Sequence, residues 1–381
     1  MSNGRKNKRR MSASKRIFIK SFAITLLSSG IIILFGVTAW NLAVSPPAQA
    51  EVIPGPRPSD NSDVDEEGFV IPSNPRPPSS IVQNDHVAND DHDRRPSNAP
   101  YWAIDRREYF WTFLIVGLNE GTNANTVMVA SYCGITREAN LVAIPRDVPV
   151  NPTRNGRRIS SSYIIGHRHR GGIAGGVRQM QDDVFTVIGF IPDFYVVIDY
   201  DAFFTIIDAV GGIYIDVPIR MVYNDRWQNL HIDLMPGLQH MNSQTALEFS
   251  RFRQGDPGFP DLPGGDLGRI QSQQQVISAV ITQLLRVENL TPTRISQFVD
   301  IFNESVHTDI SLSDMLYFAN ELRHVSGLDA LNTHTFPTHG GTVGGVSYQF
   351  LTPATVVELI NRTINPFDRD ISVTDLRIVG R

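Results

Sequence analysis

Residues 112–147 read TFLIVGLNEGTNANTVMVASYCGITREANLVAIPRD. Three apolar runs of strand length, Thr112–Leu118, Thr126–Cys133 and Leu141–Ile144, alternate with polar stretches rich in Gly, Asn and Thr. β-Branched and aromatic side chains bounded by turn residues are a strand signal. Phe194–Tyr200 and Ile213–Val217 repeat it. Amphipathic stretches of helix length fall at 173–189, 202–209, 243–249, 269–286, 295–306, 312–324 and 354–363. Val276, Ile277, Val280, Ile281, Leu284 and Leu285 form an i, i+3, i+4 stripe. Ser311 and Asp314 have capping-box spacing before Met315, and Pro353 suits a first helical position. Strands mixed with helices, without a clean βαβ period, predict an α/β or α+β body whose sheet is covered by helices. That body spans 101–367, and 368–381 reads as a short extra strand or tail.

The chain has 381 residues, 41% of them hydrophobic, enough to bury a core and too few for a polytopic membrane protein. Its net charge of −5 hides an asymmetry. Residues 1–20 carry eight basic residues and no acid; removing those eight from the 34 basic residues leaves 26 against 39 acids, a net of −13. An acidic body argues against nucleic acid as a partner. All four lysines lie in the first twenty residues, so an anion site in the body must use arginine. A single cysteine, Cys133, excludes an intramolecular disulfide and a cysteine-cage zinc site. On a strand it reads as a small buried hydrophobe.

After the basic tail, residues 21–44 are uncharged. Twenty-four residues at 1.5 Å each span about 36 Å, enough for a ~30 Å hydrocarbon core. Cations before the run and none just after it predict a single-pass signal-anchor, with the N-terminus cytoplasmic and the body outside the cell membrane. Ala48-Gln49-Ala50 has the form of a cleavage site, which leaves a cleaved signal peptide as the alternative. Both readings export the body. Residues 45–100 hold eleven of the 24 prolines, and ten acids lie in 51–100. Such a composition predicts a disordered linker.

Three arginine-bearing segments are candidate chemistry. Arg146, followed by Asp147, stands after a strand, where α/β folds place sites. In Arg251-Phe252-Arg253 an extended backbone puts both guanidiniums on one face. Asp266-Leu267-Gly268-Arg269 opens a helix with Gln273 one turn later, and helix N-termini favour anions. Each segment also has a plain structural reading as an ion pair, a packed stem or a capping aspartate. No P-loop, nucleophile elbow or His-Glu-x-x-His motif occurs. His167 and His169 read as an exposed loop rather than a metal site, and the glycines at 171–172, 175–176 and 264–265 as flexible loops.

A colinear series of motifs, FLIVGLNEG, NANTVMVAS, LVAIPRD, IGFIPDFYVVIDYDAFFTIIDAVGGIYIDVP, LMPGLQHMNSQTALEFSRFRQ, GDLGRIQSQQQV, SLSDMLYFANEL and GGTVGGVSYQFL, resembles the LytR-CpsA-Psr family over roughly residues 110–365. The resemblance implies a layered α/β/α domain around a twisted sheet. It implies a cell-envelope phosphotransferase that moves a glycopolymer from a polyprenyl-pyrophosphate carrier to peptidoglycan through a phosphodiester. Carried over by motif position, Arg146, Arg251, Arg253 and Arg269 are the catalytic arginines on the pyrophosphate. Gln273, Asp266 and Asp147 are implied in substrate binding. Segments 184–215 and 276–301 are rich in the apolar side chains that a polyprenyl tunnel needs.

The family's Mg²⁺ ligands are two aspartates, and here those positions are Asn119 and Asn125. The family's neighbouring arginines are replaced by Asn123 and Ser272. An amide lacks the charge a hard dication prefers and cannot act as a base. Two readings follow: a transferase with a weakened Mg²⁺ site, in which Glu120 or Asp147 supplies the carboxylate, or a non-catalytic polyprenyl-phosphate glycan-binding protein.

Overall fold

The computed structural model describes residues 106–119, 123–154, 157–228, 230–286, 291–322 and 331–380. It also describes Pro46, Pro47, Gln49 and the antiparallel pair Asp63–Val64 and Val70–Ile71. The expected anchor at 21–44, most of the linker and Glu120 lie outside the described residues. Among the described residues no helix is long and apolar enough to cross a membrane. From the linker, the Gln49 side-chain amide donates to the carbonyls of Arg107 and Phe110.

The body runs β1 (Phe110–Leu118), β2 (Ala124–Cys133), β3 (Glu138–Ala143), α1 (Ser162–His169), α2 (Gly172–Ile188), β4 (Phe194–Ile198), α3 (Tyr200–Ala209), β5 (Ile213–Val217), β6 (Met221–Asp225), β7 (Leu230–Leu234), β8 (Gly237–Met241), α4 (Ser243–Arg251), α5 (Asp266–Leu284), α6 (Pro292–Ser305), β9 (His307–Thr308), α7 (Leu312–Leu322), β10 (Leu331–Thr335), β11 (Thr338–Val343), β12 (Val346–Leu351) and α8 (Pro353–Thr363). Six strands form a mixed sheet in the order β9-β4-β1-β2-β3-β10. β1 runs parallel to β4 and antiparallel to β2, and β3 runs parallel to β10.

The pleat turns alternate residues of each strand to opposite faces. Leu114, Val116 and Leu118 pack with Val127 and Val129 against Val177, Met180 and Val184 of α2 and Val356 and Ile360 of α8. Ile115, Met128 and Leu141 face the other way, onto Ile270 and Ile277 of α5. The domain is therefore the expected helix–sheet–helix sandwich. A satellite core packs β5–β8 against α3, α4 and α5 around Ile215, Ile232 and Phe249.

Several local expectations change. His167 and His169 lie on α1, not in a loop, and the His167 ring stacks on Tyr163. Gly175 and Gly176 are not flexible: they sit where α1 and α2 touch. A Cβ on Gly166 would lie 2.2 Å from the Gly175 carbonyl oxygen. Only glycine allows that approach. Residues 368–380, read as an extra strand or tail, carry Ile371 and Leu376 into the main core. The Arg377 N–H donates to the Thr186 carbonyl of α2 at 2.7 Å. Cys133 is a buried free thiol.

Candidate functional site

β1 and β4 are parallel neighbours, so both end at the same edge of the sheet. Ligands in such folds bind beyond the carboxyl ends of the strands. A cavity of about 340 Å³ opens there, lined by Asn125, Arg146, Asp199, Arg251, Arg253, Arg269 and Gln273 among others. Four arginines from three separate segments of the chain thus share one space.

Each arginine is delivered differently. Arg146 follows the end of β3 and lies 3.4 Å from Asp266. Arg269 sits in the first turn of α5, with only 9% of its surface exposed, and pairs with Asp266 at 2.6 Å. Burial first and the Arg146 charge second pull its pKa down to about 10, while Asp266 opposes the fall. Gly268 is needed beside it, because a Cβ there would meet the Pro263 carbonyl oxygen at 2.2 Å. Arg251 is the last residue of α4 and donates to the Gln228 side-chain oxygen at 2.8 Å. The chain then turns extended at Phe252, which is buried, and Arg253 returns to the cavity. The expected sharing of one side by Arg251 and Arg253 thus holds across a helix end rather than along a strand.

Asp266 bridges Arg146 and Arg269 and so orients both. Gln273 lines the cavity one turn after Arg269. Asp147 is outside the lining: it lies 3.3 Å from Arg158 and 3.9 Å from Arg146. Asn119 is also outside the lining, and its side-chain oxygen accepts the Asn123 N–H at 3.0 Å. Ser272 is buried, and its hydroxyl donates to the Gly268 carbonyl.

A second cavity of about 380 Å³ lies on the α5 side of the sheet, with a nearly wholly apolar wall that includes Ile281, Leu284, Phe298, Phe302, Met315 and Phe318. Both cavities touch Ile115 and Ile277. Segment 276–301 therefore lines a cavity as expected, but most of 184–215 does not. Val184, Val187 and Ile188 are spent in the opposite core. Tyr132 and Glu321 also border the second cavity and hydrogen-bond at 2.9 Å; burial, followed by Glu321, pushes the Tyr132 phenol up.

Asp199, Tyr200, Gln228 and Gln254 also line the arginine cavity and were not singled out from sequence. Asp199 had a usable signal, an aspartate directly after a strand and before a helix. Gln228 had none: it sits in the β6–β7 turn, whose Asp225 accepts the N–H groups of Trp227 and Gln228. That turn leaves Trp227 99% exposed next to the rim.

The LytR_cpsA_psr family model matches residues 81–365. Biofilm regulatory protein A of Streptococcus mutans is 23% identical over 66% of this chain and 62% of its own length. The polyisoprenyl-teichoic acid–peptidoglycan teichoic acid transferase TagV of Bacillus subtilis is 24% identical over 70% of this chain and 67% of its own. The crystal structure of B. subtilis TagV superposes with a TM-score of 0.54 at 20% identity, covering 66% of this chain and 95% of that one. A structure of TagT bound to LIIa-WTA gives 0.53 at 18% identity, covering 69% and 92%.

Proposed function

We propose, from the premise that this chain belongs to the LytR_cpsA_psr family, that it moves a phosphate-linked glycopolymer from a polyprenyl-pyrophosphate carrier to a peptidoglycan hydroxyl. The observation that carries this reading is the pairing of two cavities. Four guanidiniums gather in one, and the other, which shares two wall residues with it, is apolar. A lipid pyrophosphate has those two halves. Guanidiniums bind phosphate oxygens in bidentate fashion, and their attraction grows in a water-poor site.

The arginine roles follow from position. Arg269, buried and held by Asp266, is a fixed charge for the pyrophosphate, and Arg146 is oriented by the same carboxylate. Arg251 and Arg253 close the other side. In the transfer, the acceptor oxygen bonds to the glycan-bearing phosphorus. The bond to the bridging oxygen breaks, and polyprenyl phosphate leaves. Charge spreads over the phosphoryl oxygens on the way, and stabilising it is most of what catalysis requires. The uncharged run at 21–44 supports a single-pass anchor that keeps the body at the outer face of the membrane, where such carriers are presented.

Mg²⁺ is the cation the resemblance implies, and the donor set does not fit it. Asn119 spends its side-chain oxygen on the Asn123 N–H, and Asn125 is neutral. Asp266 and Asp147 are paired with arginines, which leaves Asp199 as a single carboxylate at the cavity among the described residues. Among the described residues no three acidic, His or Cys groups gather. The charge of the phosphates therefore falls to the guanidiniums. These two amides also favour the second reading, binding of the carrier without turnover.

One experiment decides between them. The full chain is incubated with a synthetic polyprenyl-pyrophosphate glycan and a peptidoglycan oligomer, with Mg²⁺ and with chelator, and products are followed by mass spectrometry. A phosphodiester product in both conditions is expected. Binding without product supports the carrier-binding reading, and neither binding nor product breaks both. In a companion titration the wild type should show no Mg²⁺ affinity, whereas Asn119→Asp with Asn125→Asp should gain it.

A further inference from the structure

We propose that Asp199 is the base that takes the proton from the acceptor hydroxyl, an inference that rests on the transfer reading above. Among the described residues it is the one carboxylate lining the arginine cavity. The sheet brings it there. Gly117 pairs with Ile198 in the parallel β1–β4 ladder, so Asp199 leaves the sheet beside Leu118 and Asn119. A carboxylate thus stands next to the position where Asn119 has none. Of the two replacements read from sequence, Asp147 is paired with Arg158 outside the lining, and Glu120 lies outside the described residues. Asp266 is held between two arginines.

The geometry suits a base. One Asp199 oxygen, Oδ1, accepts the Ala202 N–H at 2.9 Å as the N-cap of α3, which fixes the carboxylate. Its Oδ2 has no hydrogen bond or ion pair among the described residues, and the residue is exposed at the cavity. The Arg251 guanidinium lies 5.7 Å over the ring of the adjacent Tyr200, which puts a phosphate-binding cation on the same side. In the step, the hydroxyl proton passes to Asp199 Oδ2 as the oxygen bonds to phosphorus. The phosphorus–oxygen bond to polyprenyl phosphate breaks, and that group leaves as an anion that needs no proton.

The N-cap role separates cleanly from the base role. Asparagine caps a helix about as well as aspartate. Asp199→Asn should therefore fold normally, its melting temperature moving by no more than about 4 °C. In the full chain, with the carrier glycan and peptidoglycan oligomer, its kcat should fall on the order of 10²-fold or more. Its donor KM should stay within about 3-fold, because the arginines are untouched. A kcat within about 3-fold of wild type overturns the inference and leaves the transfer reading standing. Recovery of the variant by added Mg²⁺ or Mn²⁺ also overturns it, and makes Asp199 a cation ligand instead. A wild type that binds the carrier and yields no phosphodiester breaks the transfer reading first, and the base role with it.

Discussion

The two faces of the central sheet use the same strands for opposite ends. Toward α1, α2 and α8, every inward side chain of β1 is packed: Leu114, Val116 and Leu118 belong to one continuous core that extends to Phe367, Ile371 and Leu376. Toward α5, α6 and α7, Phe113 and Ile115 border an open apolar cavity. The difference lies in what covers each face. On the closed face glycines let helices touch, with Gly166 against Gly175. On the open face bulky Ile, Phe and Met side chains hold α5, α6 and α7 away from the strands around about 380 Å³ of space. Stability and ligand binding are thereby assigned to different sides of one sheet. Substitutions on the closed side should move the melting temperature, and those on the open side should move affinity.

The largest effect is expected where the closed face is tightest. Gly166→Val puts carbon atoms into the Gly175 backbone, which cannot retreat without separating α1 from α2. Overpacking against backbone that cannot yield falls at the top of the usual range, about 3 kcal/mol. A calorimetric scan should show a melting temperature lower by roughly 6–12 °C. An unchanged melting temperature would mean that this face is no tighter than the other.

Next comes the mouth of the open face. Arg269→Ala removes a charge-assisted contact worth about 1.5–3 kcal/mol, so affinity for a polyprenyl pyrophosphate should fall roughly 10- to 100-fold. Asp266 keeps Arg146 as a partner, so the melting temperature should hardly change. A large loss of stability with full affinity would reverse the assignment of the two faces.

A filling substitution sharpens the comparison from the other direction. Ile281 lines the apolar cavity. Ile281→Trp should occupy the space that a prenyl chain needs and lower lipid affinity at least about tenfold, a loss of ~1.4 kcal/mol. It should leave affinity for inorganic pyrophosphate unchanged. Equal loss of both would place the anion and lipid contacts in one site rather than two.

The closed face was largely legible in the sequence, because strands and amphipathic helices announce themselves by period. Thr112–Leu118 and Thr126–Cys133 are both there as strands. The open face was legible only in its arginines. Asp147 follows Arg146 in the chain, yet it pairs with Arg158 while Arg146 turns to the cavity. Asp199 reaches the same space through the pairing of Gly117 with Ile198, a contact across 81 residues that no local pattern encodes. The hairpin of β6 and β7 was missed because Met221–Asp225 has no alternation to read and Leu230–Leu234, which does alternate, is only five residues long. Its turn nevertheless supplies Gln228 to the cavity.

That turn also offers the smallest and most direct readout of the open face. Trp227 is 99% exposed, while Trp111 is buried and stacked on Tyr132. A fully hydrated indole emits to the red of a buried one, so the two report separately. Trp227 is one residue from Gln228, and Gln228 accepts from Arg251, so a glycan leaving the arginine cavity passes near the ring. Binding of a polyprenyl-pyrophosphate glycan should therefore shift the red component of the emission, and the shift should vanish in Trp227→Phe. Because the ring packs on nothing among the described residues, that substitution should cost within about 0.5 kcal/mol of stability. A shift that survives in Trp227→Phe would mean that the ligand reaches another tryptophan. If Trp111 is the source, the carrier penetrates far deeper into the open face than the arginine mouth.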